Sequence, residues 1–223
     1  MQIGIGPGGQ TPYYKRVMVF VDGTNFLCQL SRELKIPLEA ANPPLEALRI
    51  ATSLIKSRYK RRKDVVSIRN FWFSSYKGNA DYNQLAKELR ICEFEPVLFK
   101  RRHGREKGVD IGLATKMLVN AFNQNFDIGI LIAGDEDYVG LVNEVKRYGP
   151  IIDGAFFRLG LQEKLEIACD HFFCFEEPKP EFTKTSPYKE LIEELKRACK
   201  KSTSKKGQRL IEDIQNSNLA TKT

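Results

Sequence analysis

The chain has few of the residues that build redox frameworks or metal clips. Its five cysteines, Cys28, Cys92, Cys169, Cys174 and Cys199, are odd in number and irregularly spaced, with no Cys-x-x-Cys pair. That excludes a disulfide scaffold and points to reduced thiols in a cytoplasmic protein. There are only two histidines, His103 and His171. Cys169-Asp170-His171-Phe172-Phe173-Cys174 could form a metal clip, but with so little histidine a structural role is the better account. No apolar run approaches the ~20 residues of a membrane span, so no membrane partner is expected. The N-terminus lacks a basic flank followed by an apolar core, so no signal peptide is expected.

What the chain does have is positive charge. Its 223 residues carry 36 Lys and Arg against 28 Asp and Glu, a net charge of +8. A basic balance favours a polyanionic partner, nucleic acid before membrane. Hydrophobic residues at 42% and charged residues at 29% are ordinary for a globular protein.

Residues 1–14 read as a flexible glycine-rich leader. Gly4, Gly6 and Gly9 fit G-x-G-x-x-G, yet no strand precedes them and no helical pattern follows, so a dinucleotide site is excluded. The chain then opens on Val17-Met18-Val19-Phe20-Val21-Asp22-Gly23-Thr24-Asn25-Phe26. Five apolar residues running into turn residues read as a strand buried on both faces, with Asp22 at its carboxyl end. Further strands are expected at 65–76, 94–99, 128–132 and 150–157, the last interrupted at Asp153-Gly154, with an edge strand at 172–175. Between them, apolar residues at helical spacing predict helices at 26–34 and 109–122, and around Leu45 to Ile55, Tyr82 to Leu89, Val139 to Tyr148 and Leu161 to Ala168. Strands alternating with helices predict an α/β fold with a parallel sheet covered on both faces.

Two buried strands end in acids: Asp22 after the first, and Asp135 and Asp137 after the one at 128–132. In a doubly wound sheet such ends meet at the point where strand order reverses. Asp110, in the first turn of the intervening helix, can join them, although an acid there also suits the helix dipole. Four carboxylates together repel, and a divalent cation removes the conflict. Hard oxygen ligands suit Mg²⁺ or Mn²⁺, which can activate water and stabilise charge on a phosphoryl group. Asn25 would orient a water or a phosphate oxygen. Lys100-Arg101-Arg102-His103-Gly104-Arg105-Glu106-Lys107-Gly108 carries five cations and leads to Asp110. Lys100, Arg101, Arg102, Arg105 and Lys107, with Thr24 and Lys116, are the candidate substrate-binding residues. The basic run 56–63 is a solvated helix end or a further phosphate contact. Tyr76 and Tyr138 could stack on bases.

These motifs resemble a known family. Val19-Phe20-Val21-Asp22-Gly23-Thr24-Asn25 looks like the signature of the NYN domain, the PIN-like nuclease domain of LabA-like proteins. Lys107-Gly108-Val109-Asp110-Ile111-Gly112-Leu113-Ala114, Ile130-Leu131-Ile132-Ala133-Gly134-Asp135-Glu136-Asp137-Tyr138 and Ala168-Cys169-Asp170-His171-Phe172 resemble its later motifs, in the family's order. The resemblance covers residues 15–177. It implies a three-layer Rossmann-like PIN fold with a mainly parallel sheet of five or six strands. It also implies Mg²⁺- or Mn²⁺-dependent cleavage of RNA, single-stranded or structured, at a centre of Asp22, Asp110, Asp135 and Asp137 with Asn25 beside them. Two departures stand out. Lys116 occupies a position where the family often has an acid, and Ala133 one where it usually has serine. Lys116 could neutralise part of the acidic centre, contact phosphate, or mark an RNA-binding module with a silent site.

Haloacid-dehalogenase-like phosphatases also carry Asp-Gly-Thr, with a nucleophilic aspartate two residues earlier. Here that position is Phe20, which removes the nucleophile. Residues 178–223 form a basic extension with 11 Lys and Arg against 6 Asp and Glu, partly helical or disordered. A homodimer, and a protein partner for that extension, are left open.

Overall fold

The structure, a computed structural model, describes residues 14–35, 43, 45–56, 64–101 and 108–176, with residues 192, 193, 196 and 197 of the C-terminal extension. The leader at 1–13, the basic run at 57–63, Arg102, Arg105 and Lys107 lie outside the described residues, as does most of the extension.

Six strands form one sheet: β1 (Lys15–Asp22), β2 (Val65–Tyr76), β3 (Glu95–Lys100), β4 (Ile128–Ile132), β5 (Ile151–Phe156) and β6 (His171–Cys174). Their order is β3-β2-β1-β4-β5-β6, and every neighbouring pair is parallel. Parallel neighbours require a crossover, and helices supply it. The crossover helices are α1 (Gly23–Leu34), α2 (Leu45–Lys56), α3 (Asn79–Ile91), α4 (Val109–Phe122), α5 (Val139–Lys146) and α6 (Glu163–Ala168).

Alternation along β1 sorts the core into two halves. Val17, Val19 and Val21 join Phe26, Leu30, Leu48, Leu54 and Leu89 from α1, α2 and α3 on one face. Met18 and Phe20 join Leu113, Met117, Val142 and Leu165 from α4, α5 and α6 on the other. Val19, Phe20 and Val21 are wholly enclosed. Each contributes about 1.5–3 kcal/mol of hydrophobic burial, which explains the unbroken apolar run. The result is a three-layer α/β/α sandwich, and Ile192 of the extension packs into its first half-core.

Two expectations need adjusting. β5 is continuous through Asp153-Gly154. A Cβ at Gly154 would lie 2.3 Å from the Phe172 ring and 2.9 Å from Cys169 Sγ, so glycine lets β6 close on β5 rather than breaking the strand. Asp153 Oδ1 pairs with His171 Nδ1 across that same junction at 2.8 Å. α1 begins at Gly23, three residues early, because the Asp22 carboxylate caps it. No helix among the described residues is long and apolar enough to cross a membrane.

Candidate acidic site at the strand switch

The chain moves outward from β1 to β2 and β3, then returns past β1 to lay down β4. The carboxyl ends of β1 and β4 therefore flank the point where strand order reverses, which in open α/β sheets forms a ligand crevice. Asp22 closes β1, and the loop with Asp135 and Asp137 follows β4. α4 packs against β1 and β2, and Asp110 stands in its first turn.

Asp22 is 5% exposed. Its Oδ1 accepts the backbone N–H of Asn25 at 2.9 Å, the bond of an N-cap to the third helical residue. Gly23 must follow it. A Cβ there would lie 2.0 Å from Trp72 Nε1 and 2.8 Å from the Phe73 carbonyl, closer than packed atoms approach. Thr24, half-buried, completes the first turn of α1.

Tyr138 brings two of the acids together. Its hydroxyl lies 2.9 Å from Asp22 Oδ2 and 3.1 Å from Asp110 Oδ1. A phenol has one proton, so it donates fully to one carboxylate at a time. Burial, then the negative charges of Asp22 and Asp110, push the Tyr138 phenol far above its ordinary range, so it remains a donor. Tyr138 is 3% exposed and has no face open to a base; the stacking expected of it is replaced by this carboxylate contact.

Asp135 and Asp137, like Asp110, are exposed beside the buried Asp22. Asp135 Oδ1 accepts the backbone N–H of Asp137 at 3.1 Å and so caps the 3-10 turn Glu136–Tyr138 that delivers Tyr138. Gln162 N–H donates to the Gly134 carbonyl at 2.9 Å, and Lys164 pairs with Glu136 at 3.0 Å, so the start of α6 holds the loop in place. Among the described residues, no three His, Cys, Asp or Glu side chains gather closely enough to hold an ion together. The four acids are thus divided: Asp22 and Asp110 meet at one hydroxyl, while Asp135 and Asp137 rim the same edge.

Asn25 Oδ1 accepts the Gly134 N–H at 3.1 Å, joining the first motif to the third directly. Lys100 is exposed at the end of β3. The Arg101 backbone N–H donates to the Tyr76 carbonyl at 2.9 Å, and its Nε to Ser75 Oγ at 2.8 Å, so both cations lie at the carboxyl edge of the sheet. Lys116 lies lower. It is six residues beyond Asp110, about 9 Å along α4. Its Nζ is 3.9 Å from Glu95 Oε1 and 4.8 Å above the Phe71 ring. At the opposite end of the sheet, burial disfavours the Asp170 charge, but the Ile152 N–H and Lys146 outweigh it and hold the carboxyl below its usual range. Burial pushes the Cys169 thiol up to about 12, and the side chain packs within the second half of the core.

A model of the NYN domain family matches residues 16–176. The chain belongs to the NYN domain family. That family lies within the PIN-like nuclease superfamily, whose α/β architecture this sheet shares. No curated protein matches the sequence. Among solved structures, a protein of unknown function, VPA0982 from Vibrio parahaemolyticus RIMD 2210633, is 18% identical, with a TM-score of 0.58 over 75% of this chain and 97% of that one. At that identity the likeness is one of fold. A second structure, from Parabacteroides merdae ATCC 43184 and named provisionally as an oxidoreductase, is 9% identical with a TM-score of 0.32 over 74% of this chain and 32% of that one, and carries no argument.

For this NYN domain, sequence reasoning missed the part played by Tyr138. The available signal was an aromatic directly after Asp-x-Asp, where the short turn drives the ring inward.

Proposed function

We propose that this NYN protein is a metal-dependent ribonuclease that hydrolyses RNA phosphodiester bonds at the edge between β1 and β4. The observation that carries this reading is the Asp22–Tyr138–Asp110 contact: two carboxylates at the strand switch with one shared hydroxyl proton between them. Two carboxylates converge on a single hydroxyl there, and a cation beside them would relieve their repulsion. Mg²⁺ needs only one or two protein carboxylates, with waters and substrate phosphates completing its shell. The donor set therefore fits Mg²⁺ or Mn²⁺. Asp22 and Asp110 would hold the ion, with Asp135 and Asp137 reaching it directly or through water. When bound, such an ion activates water and neutralises charge on a phosphoryl oxygen.

The chain's own residues do the rest. Tyr138 holds Asp22 and Asp110 together against their mutual repulsion. Asn25 locks the β4 loop to α1, fixing Asp135 relative to Asp22. Lys100 and Arg101 present positive charge to an RNA backbone along the same edge, and Arg102, Arg105 and Lys107 follow them in sequence. Phe20, wholly buried, supports the exclusion of an aspartyl-phosphate route. Residues 15–177 would be the nuclease domain and 178–223 an accessory extension.

The competing reading, a silent RNA-binding module, draws on Lys116. The pairing of that amine with Glu95 and Phe71, away from Asp110, weakens it.

Calorimetric titration of Mn²⁺ into wild-type, Asp22→Asn and Asp110→Asn protein tests the site. The expected result is saturable binding in the wild type, weakened at least tenfold by either substitution. Binding equally tight in all three would overturn the assignment.

A further inference from the structure

We infer that Tyr76 and Tyr82 form a base-stacking platform that makes the substrate path selective for single-stranded RNA. The inference rests on the nuclease reading for its substrate, but stands on different residues. Tyr76 is the last residue of β2, and Tyr82 lies in the first turn of α3, which begins at Asn79. The short connection folds the two rings onto each other, with centroids 5.0 Å apart and planes at 63°. An edge-on pair covers one face of only one ring. Tyr82 is 40% exposed, on the surface of the domain.

The position of the pair links it to the acidic site. Phe73 is the register partner of Asp22 on the neighbouring strand, and Tyr76 lies three residues further along. That puts Tyr76 about 10 Å beyond the level of Asp22, at the carboxyl edge of the sheet. Lys100 is the register partner of Tyr76 on β3 and is exposed. Arg101 is fastened beside it by the Tyr76 carbonyl and Ser75 Oγ. Tyrosine rings and two cations at one sheet edge, on a chain of net charge +8, match how proteins hold single strands: backbone phosphates on the cations and bases on the rings. A duplex hides its base faces within the stack and has nothing to offer the tyrosines. The chemistry of the patch is that of unpaired bases on a phosphate chain.

The test measures binding without cleavage. Fluorescence anisotropy in chelator, on the full chain carrying Asp22→Asn, would compare a labelled single-stranded RNA, the same RNA in a duplex, and an abasic strand of equal length. The single strand is expected to bind most tightly. Tyr82→Ala should weaken it about tenfold, while Tyr82→Phe restores it, because the ring rather than the hydroxyl does the stacking. The abasic strand should be indifferent to Tyr82→Ala. Three results would overturn the platform: single-strand affinity unchanged by Tyr82→Ala, an equal loss on the abasic strand, or no RNA binding by the parent protein. Cleavage by protein with Asp22 intact, in Mg²⁺, is scored separately. RNA that is cleaved but insensitive to Tyr82 in binding removes the platform and leaves the nuclease. RNA that is bound through Tyr82 but never cleaved does the reverse.

Discussion

Replacing Tyr138 with phenylalanine removes a single oxygen from between two carboxylates and leaves the ring to fill the same space. Asp22 Oδ2 is buried and accepts from that oxygen at 2.9 Å, whereas Asp110 is exposed and can turn to water. The cost therefore falls mainly on Asp22. A hydrogen bond to a charged group contributes about 1.5–3 kcal/mol. No cavity opens, so the expected loss is about 2 kcal/mol. In a chain of this size 1 kcal/mol moves the melting temperature by about 2–4 °C, so Tyr138→Phe should melt about 4–8 °C lower. Urea denaturation followed by circular dichroism measures the loss directly. A double-mutant cycle assigns it: in an Asp22→Asn background the same substitution should cost about 1 kcal/mol less, because the charged acceptor has gone. A Tyr138→Phe protein as stable as the wild type, or a penalty unchanged by Asp22→Asn, would show that the hydroxyl does not hold the acids.

Two further expectations follow from the same structure. The Arg16 side chain, with its backbone N–H, holds the Asp127 carboxyl below its usual range, so the stability it contributes is present above the unfolded value of about 3.9 and is lost as pH falls through the lower folded value. Asp127→Asn should be less stable at pH 7 and show a flatter decline in acid, seen as urea midpoints between pH 7 and pH 3; an unchanged pH profile would refute the pairing. Gly23→Ala would press a methyl group into Trp72 and the Phe73 carbonyl, and overpacking of that kind costs about 1–3 kcal/mol or more by thermal denaturation, where a neutral outcome would show that the approach is looser.

The sheet was legible in the sequence because its central strands are buried on both faces. β2 and β4 begin and end where their patterns do, and α4 spans the whole of its predicted apolar stretch. The misreadings arose where one residue serves a distant partner. Gly154 looked like a break, but the constraint on it comes from Phe172, on the neighbouring strand. Tyr138 looked like a free aromatic, but Asp22 and Asp110 claim its hydroxyl from 116 and 28 residues away. Asn25 has a distant partner of its own that spacing does not reveal: its oxygen accepts the Gly134 N–H. Asp22, Asp135 and Asp137 stood out as candidates because they follow buried strands, and Asp110 because it opens the intervening helix. How they divide between the Tyr138-linked pair and the outer rim depends on the geometry of a three-residue turn, which no spacing rule supplies.

The central claim is tested most directly by one cleavage measurement. A labelled single-stranded RNA is incubated with wild-type and Asp22→Asn protein in Mg²⁺, in Mn²⁺ and in chelator. Asn keeps the helix cap and the shape of the side chain, so the variant loses charge while retaining the local fold. The account predicts cleavage by the wild type with metal, none in chelator, and a rate lower by about 100-fold in Asp22→Asn. Equal cleavage by both proteins, or cleavage that persists in chelator, would contradict it.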